Sequence, residues 1–277
     1  MVGKMAIVNK KYQKWYNIIY KLTNNSHPLK KLVYIVRRIQ DNIQYCFLET
    51  NSVDTRNIIK TSNLDLKKIT GDKKYEAKWL NILSKLEKLG IRKNSGGITA
   101  IDQEILYKLI KGYNRKNILE IGTHIGSSTV AIAMALKGRQ SKQLITVDIN
   151  DVNSQNEKIW LKFNSKNSPR KNLEKLKLKN HVKFVVSDSK RYMTKTKNKF
   201  DFIFLDGNHR TKAIYDEIKL SINLLEKNGI LVLHDYTESN SIFSIAGPFL
   251  AVKKLLLKNK GLKVKLFKKS SLALISR

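Results

Sequence analysis

The chain has 277 residues, 42% of them apolar, and carries 54 lysines and arginines against 22 acids, for a net charge of +32. That length holds one α/β domain plus an extension. The single cysteine, Cys46, excludes an internal disulfide framework and fits a reducing, cytoplasmic setting, and no apolar run reaches the roughly 18 residues that a membrane span needs.

The charge is uneven. No acid precedes Asp41 and none follows Glu238. Two basic ends suit an anionic partner, either RNA or an acidic membrane surface that would make the protein peripheral to it. A composition rich in Lys, Asn and Ile also follows from an AT-rich genome, so the charge leaves both explanations open. Trp15, Ile18, Ile19 and Leu22 fall at helical spacing, and Leu32, Ile35, Val36 and Ile39 repeat it after Pro28. Two basic amphipathic helices are predicted. Their apolar faces would cover the core or a partner copy in a homo-oligomer, or lie on a membrane or RNA. Residues 49–72 are polar and aperiodic and read as a linker or irregular cap. Trp79, Ile82, Leu83 and Leu86 predict a third helix stopped at Gly90, and Asn94 to Gly97 reads as a hinge. The chain thus divides into a basic helical extension, 1–95, and a second unit, 96–277. Thr99-Ala100-Ile101-Asp102 resembles a capping box opening a helix through Ile110.

From residue 117 strands and helices alternate. Strands are predicted at 118–121, 144–147, 182–186, 200–205 and 230–233, with a clear helix at 213–225. Alternation of this kind gives a parallel sheet with helices on both faces. The runs 262–267 and 272–275 are separated by only four residues, too few for a crossover, so they form an antiparallel hairpin.

The first of these strands leads into Glu120-Ile121-Gly122-Thr123-His124-Ile125-Gly126, then Ser127-Ser128-Thr129 and a helix. A glycine loop between strand and helix lets backbone approach a ligand and points helix N–H groups at it. The spacing is not Gly-x-Gly-x-x-Gly, because His124 stands where a glycine would. It resembles the first motif of class I S-adenosylmethionine-dependent methyltransferases, in the variant of the catechol and caffeoyl-CoA O-methyltransferases. The resemblance implies an α/β, Rossmann-like seven-stranded methyltransferase sheet with a terminal antiparallel hairpin, here preceded by a helical N-terminal extension. It also implies S-adenosyl-L-methionine as cofactor, with Glu120, Gly122, Thr123, Gly126 and Ser128 around its methionine end.

Ligands of open α/β sheets lie beyond the carboxyl ends of the strands. Four acids stand there in a row: Asp148, Asp188, Asp206 and Asp235. Asp148, followed by Ile149, can accept both ribose hydroxyls, and Ser187 with Asp188 is placed to bond the adenine edge. Phe200 to Asp206, with Gly207-Asn208-His209 after it, and Asn228 to Asp235, with His234 before the acid, look like the metal-dependent O-methyltransferases. They are more similar still to a related group with Asp-Gly-x-His after the fourth strand and His-Asp after the fifth, which often modifies sugars or natural products. The resemblance covers roughly residues 96–277.

In the catechol enzymes the two matching acids hold Mg²⁺, which implies Asp206 and Asp235 here, with Asp206 also bordering the cofactor. The sequence departs twice from that pattern. Tyr236 replaces the usual third ligand, Asn, and His209 replaces the usual Lys base. With His209 and His234 near, Mn²⁺, Zn²⁺ or no metal competes with Mg²⁺, and His234 becomes a further metal candidate. Histidine serves well as a general base near neutral pH, so His209 and Asp206 are the expected catalytic residues. The expected reaction is O-methylation of a small-molecule or sugar hydroxyl. Two alternatives are an RNA methyltransferase and a non-catalytic basic scaffold that kept the fold. The first lacks the Asn/Asp-Pro-Pro-aromatic motif of base-amine enzymes. The second is hard to reconcile with an intact row of acids.

Overall fold

The computed structural model describes residues 35–43, 73–91, 97–138, 143–237, 247–258, 261–267 and 269–276. Helices α1 (35–43), α2 (Lys73–Lys88) and α3 (Ala100–Gly112) come first. Then follow β1 (Asn117–Ile121), α4 (Ser127–Leu136), β2 (Gln143–Asp148), α5 (Pro169–Lys175), β3 (Val182–Val186) and α6 (Ser189–Lys195). The remaining elements are β4 (Phe200–Leu205), α7 (Thr211–Leu224), β5 (Leu225–Leu233), α8 (Gly247–Lys258), β6 (Lys263–Leu266) and β7 (Ala273–Ser276).

The strands form one seven-stranded sheet in the order β3-β2-β1-β4-β5-β7-β6. The first five are parallel, and β7 runs antiparallel to both β5 and β6. The chain crosses outward from β1 to β3, returns to β4 and proceeds the other way. The strand order therefore reverses beside β1, where a crevice opens above the carboxyl ends of β1 and β4.

Side chains alternate across the sheet, and the core follows them. On β4, Phe202 and Phe204 face a cluster built from α2, α3 and α4, while Ile203 and Leu205 face one built with α7 and α8. Strands buried on both faces read as near-continuous apolar runs, which is why these were conspicuous in the sequence. Trp79, Ile82, Leu86 and Ile91 share the first cluster with α3 and β4, so α2 is part of the same core as the sheet.

Several expectations shift. Strand β5 begins at Leu225 rather than 230, with a register irregularity between its pairing to Phe200 and its pairing to Phe202, and the helix before it runs Thr211–Leu224. The helix around Trp15, the linker over 49–72 and most of the hinge at 94–97 lie outside the described residues. Of the roles expected for the apolar face of α1, covering the core is not the one seen for Val36 and Ile39. Val36, Ile39 and Ile43 are exposed, whereas Asp41 is only 1% exposed. The turn carrying Asp41 points inward, where its carboxylate meets the partners described below, and Val36, Ile39 and Ile43 face out.

Candidate functional site

The glycine loop leaves β1 at Gly122, whose N–H continues the ladder to Val147 O at 2.8 Å. Gly122 has φ +94°, and a Cβ there would lie 2.2 Å from Asp206 O. The crossing of β1 and β4 at the mouth of the crevice thus requires glycine. Gly126 (φ +81°) is the N-cap of α4, so this helix begins with no capping side chain, and its first N–H groups are available to an anionic ligand.

Beneath the loop lies a buried polar network. Thr129 Oγ1 donates to Glu120 Oε2 at 2.6 Å, and the hydroxyls of Thr123 and Thr146 meet at 2.6 Å. Burial pushes Glu120 up to about 7, against hydrogen bonds from Ser128, Thr129 and Thr146 that favour the carboxylate. The side chains of Glu120, Thr123 and Ser128 are therefore the floor of the loop, and only their backbone is near its surface.

At the end of β2, Asp148 Oδ2 accepts from the backbone N–H of Thr123 (3.1 Å) and His124 (2.9 Å), while Oδ1 accepts from Asn150 N–H at 2.9 Å. The acid ties the glycine loop to the neighbouring strand. Ile149 beside it is 69% exposed, as is Val186, at 58%, on the adjacent strand end. Asp188 caps α6 through Arg191 N–H at 2.9 Å, and Ser187 Oγ donates to Asp188 O. All of these groups lie along one side of the crevice.

Two acids and two histidines occupy the other side, above β4 and β5. His209 Nε2 lies 3.1 Å from Asp206 Oδ1 and 3.6 Å from Asp235 Oδ2. His234 Nδ1 lies 2.9 Å from Asp206 Oδ1 and 3.3 Å from Asp235 Oδ1. Asp235 has φ +55°, a strained value for a residue with a side chain.

A third acid was not anticipated here. Asp102 Oδ2, on α3, lies 3.5 Å from His234 Nε2, and Asp102 is fully buried. Its other contacts are the hydroxyls of Thr99 and Ser270. The sequence marked Asp102 only as the capping-box partner of Thr99, a role it does fill, since Thr99 Oγ1 accepts from Asp102 N–H. The link to His234 spans two elements far apart in the chain.

The imidazole of His234 is thus enclosed by carboxylates on both sides, at ion-pair distance rather than on the hydrogen-bond axis. Burial alone would depress its pKa. Asp206, Asp102 and Asp235 outweigh burial and raise it to about 11, so His234 is an imidazolium at neutral pH. Asp206 responds in kind. Burial would raise it, but His234 and His209 bring it down to about 2.

Asp206, His209 and His234 can direct one ligand atom each to a common point, all within 4.8 Å. Such a set is rich in nitrogen. Tyr236, at the position of the expected third oxygen ligand, is 7% exposed and packs its ring against Phe249 at 5.7 Å. Mg²⁺ requires hard oxygen ligands, and two of these three donors are imidazole nitrogens, so this set does not fit Mg²⁺. A borderline ion such as Zn²⁺ or Mn²⁺ matches the donors better, at the cost of a proton from His234.

Residues 119–236 match the family model described as a methyltransferase domain. No curated protein matches the chain. Among solved structures, it resembles an O-methyltransferase from Bacillus cereus in complex with SAH, at 15% identity and a TM-score of 0.50, covering 80% of this chain and 94% of that one. An SAH-bound methyltransferase from Podospora anserina is 14% identical with a TM-score of 0.50, covering 82% and 98%. The cofactor-bound Rv0187 from MTB is 18% identical with a TM-score of 0.50, covering 76% and 92%. At such identities the likeness is one of fold.

Proposed function

We propose that this chain is a class I S-adenosylmethionine-dependent methyltransferase, a reading supported by the methyltransferase-domain match over residues 119–236, and that it methylates a hydroxyl oxygen of a small molecule or sugar, with His209 as general base. The observation that carries this reading is the direction of the His209 ring. Nε2 faces Asp206 and Asp235, so the N–H sits on that nitrogen and Nδ1 keeps the basic lone pair. Asp206, ionised far below neutral pH, fixes the tautomer and steadies the imidazolium that forms.

Bound S-adenosylmethionine supplies a methyl group on a sulfonium, whose carbon–sulfur electron pair returns to sulfur as the oxygen–carbon bond forms. The chain's own residues do the rest. The backbone from Gly122 to Ser128 and the uncapped start of α4 receive the methionine carboxylate. Asp148 accepts from the ribose hydroxyls, and Ile149 offers apolar surface to the base, with Ser187 and Asp188 at its edge. His209 takes the acceptor's proton at Nδ1. His234, between Asp206 and Asp235, balances the charge of these two carboxylates.

The test is His209→Ala assayed for S-adenosylhomocysteine release against a panel of catechols, phenols and sugars. General-base catalysis is worth about 10²–10⁴-fold, so turnover should fall by that range. Affinity for S-adenosylhomocysteine by calorimetry should stay within about two-fold. Near-normal turnover would remove His209 from the role.

A further inference from the structure

We propose that Asp41, on the N-terminal helix α1, is a positioning residue for His209, so that the basic extension completes the active site from outside the methyltransferase domain. The proposal rests on the reading of His209 given above. It starts from an irregularity at the head of α7. The N-cap of that helix is Arg210, whose side chain makes no capping hydrogen bond. Arginine is a poor residue for the position, because α7 begins with unsatisfied N–H groups and the positive end of its dipole.

The missing cap arrives from 170 residues away. Thr211 N–H donates to Asp41 Oδ1 at 3.3 Å, and Thr211 Oγ1 donates to the main-chain oxygen of Asp41 at 3.3 Å. The same Oδ1 pairs with Arg210 Nε at 3.3 Å. Arg37 adds a second positive charge, one turn earlier on α1. Thr211 is fully buried and Asp41 nearly so. A local serine or aspartate at 210 would cap the helix without burying a distant carboxylate. The arrangement found here instead makes α1 a required part of the loop.

His209 immediately precedes these two residues, and the opposite side of the loop is closed as well. A Cβ on Gly247, at the start of α8, would lie 1.9 Å from His209 O and 2.9 Å from Thr211 N. At its origin the loop is held by Asp206 N–H donating to Ile121 O at 2.8 Å. The backbone of 207–211 is thus fixed by β1 at one end and clamped between Asp41 and Gly247 at the other. Asp41 touches neither histidine nor acceptor. It acts by holding the segment that aims the His209 ring at Asp206.

The experiment uses the full chain with ¹⁵N-labelled histidine. The protein has five histidines, so each ring signal can be assigned by single substitution. With the tautomer locked by Asp206, the two His209 nitrogens should show well-separated shifts at pH 8. In Asp41→Ala they should move toward the averaged values of a mobile neutral ring, while His181, far along the chain, should not move. Asp41→Asn, which keeps an acceptor for Thr211 N–H, should restore most of the separation.

Turnover on the best acceptor found in the panel should fall about 10- to 100-fold in Asp41→Ala, the scale of a misplacement of about 1 Å, with calorimetric affinity for S-adenosylhomocysteine within about two-fold. The same substitution in a His209→Ala background should have no further effect. If Asp41→Ala fails to fold, Asp41→Asn and Thr211→Val carry the test through the same spectra. Unchanged His209 shifts, or losses from Asp41→Ala and His209→Ala that multiply, would overturn the proposal. An inactive His209→Ala beside a normal Asp41→Ala would sink this inference alone, whereas an active His209→Ala would sink the assignment of the base.

Discussion

Asp102→Asn tests whether the charge around His234 is organised as described. The amide has the shape of the carboxylate and keeps an oxygen for Thr99 or Ser270, so what it removes is the negative charge 3.5 Å from His234 Nε2. Removing one partner of a buried ion pair by truncation costs about 3–5 kcal/mol, and an amide that keeps the shape and the other hydrogen bonds costs less. We therefore expect about 2–3 kcal/mol for the amide. Unfolding entropy is about 2.1 cal/mol/K per residue near 60 °C, or about 0.6 kcal/mol/K over 277 residues, so Tm should drop by about 3–5 °C at pH 7. The pH dependence carries the discrimination. His234 is raised from 6.5 to about 11, so its stabilising contribution is fully present below about 6.5 and is lost as pH rises through about 11. The gap between the two melting temperatures, followed by circular dichroism, should hold near pH 7 and narrow as pH approaches 11, where the His234 charge is lost. A gap that stays constant would mean that Asp102 matters only as a partner for Thr99 and Ser270, and the account of His234 as a fixed imidazolium would fail.

Two further outcomes follow from the site. Gly122→Ala places a Cβ 2.2 Å from Asp206 O at φ +94°, and strain plus overpacking should cost about 2–6 kcal/mol; a Tm within about 2 °C of the parent would contradict the close crossing of β1 and β4. Excess chelator should leave turnover unchanged, because His234 balances the charge of Asp206 and Asp235; a loss restored by Zn²⁺ or Mn²⁺ but not by Mg²⁺ would instead assign a metal to Asp206, His209 and His234.

Much of the sheet was legible because it is parallel and buried on both faces. Runs such as Phe202 to Leu205 have no polar interruption, and each ends in a polar residue where the strand meets the crevice. The hairpin was legible from the short connection alone. Asp206, His209, His234 and Asp235 were found because they sit within a few residues of the ends of β4 and β5. Asp102 and Asp41 were not, because each acts on a partner more than a hundred residues away, and pattern reading sees only local spacing. Periodicity marked the apolar face of α1 but not which way it turns: Val36 and Ile39 face outward, Asp41 turns toward the positive end of α7 and the guanidinium of Arg210, and a rigid helix cannot turn both faces the same way. Tyr236 shows the reverse case. Its position matched a ligand in the motif, yet the turn at Asp235 directs its ring to Phe249.

The position of β7 constrains the order of assembly. It is the last strand in the chain and lies between β5 and β6, so β6 has no contact with the rest of the sheet until β7 arrives. During synthesis, β1 to β5 can pair while β6 is already made, leaving β5 as a long open edge flanked by apolar residues such as Leu231 and Leu233. An edge of that kind is a template for pairing with another chain. A chain whose β7 is unpaired holds its cofactor crevice formed and its sheet unsealed. Pairing of β7, rather than formation of the glycine loop, is then the step that closes that edge.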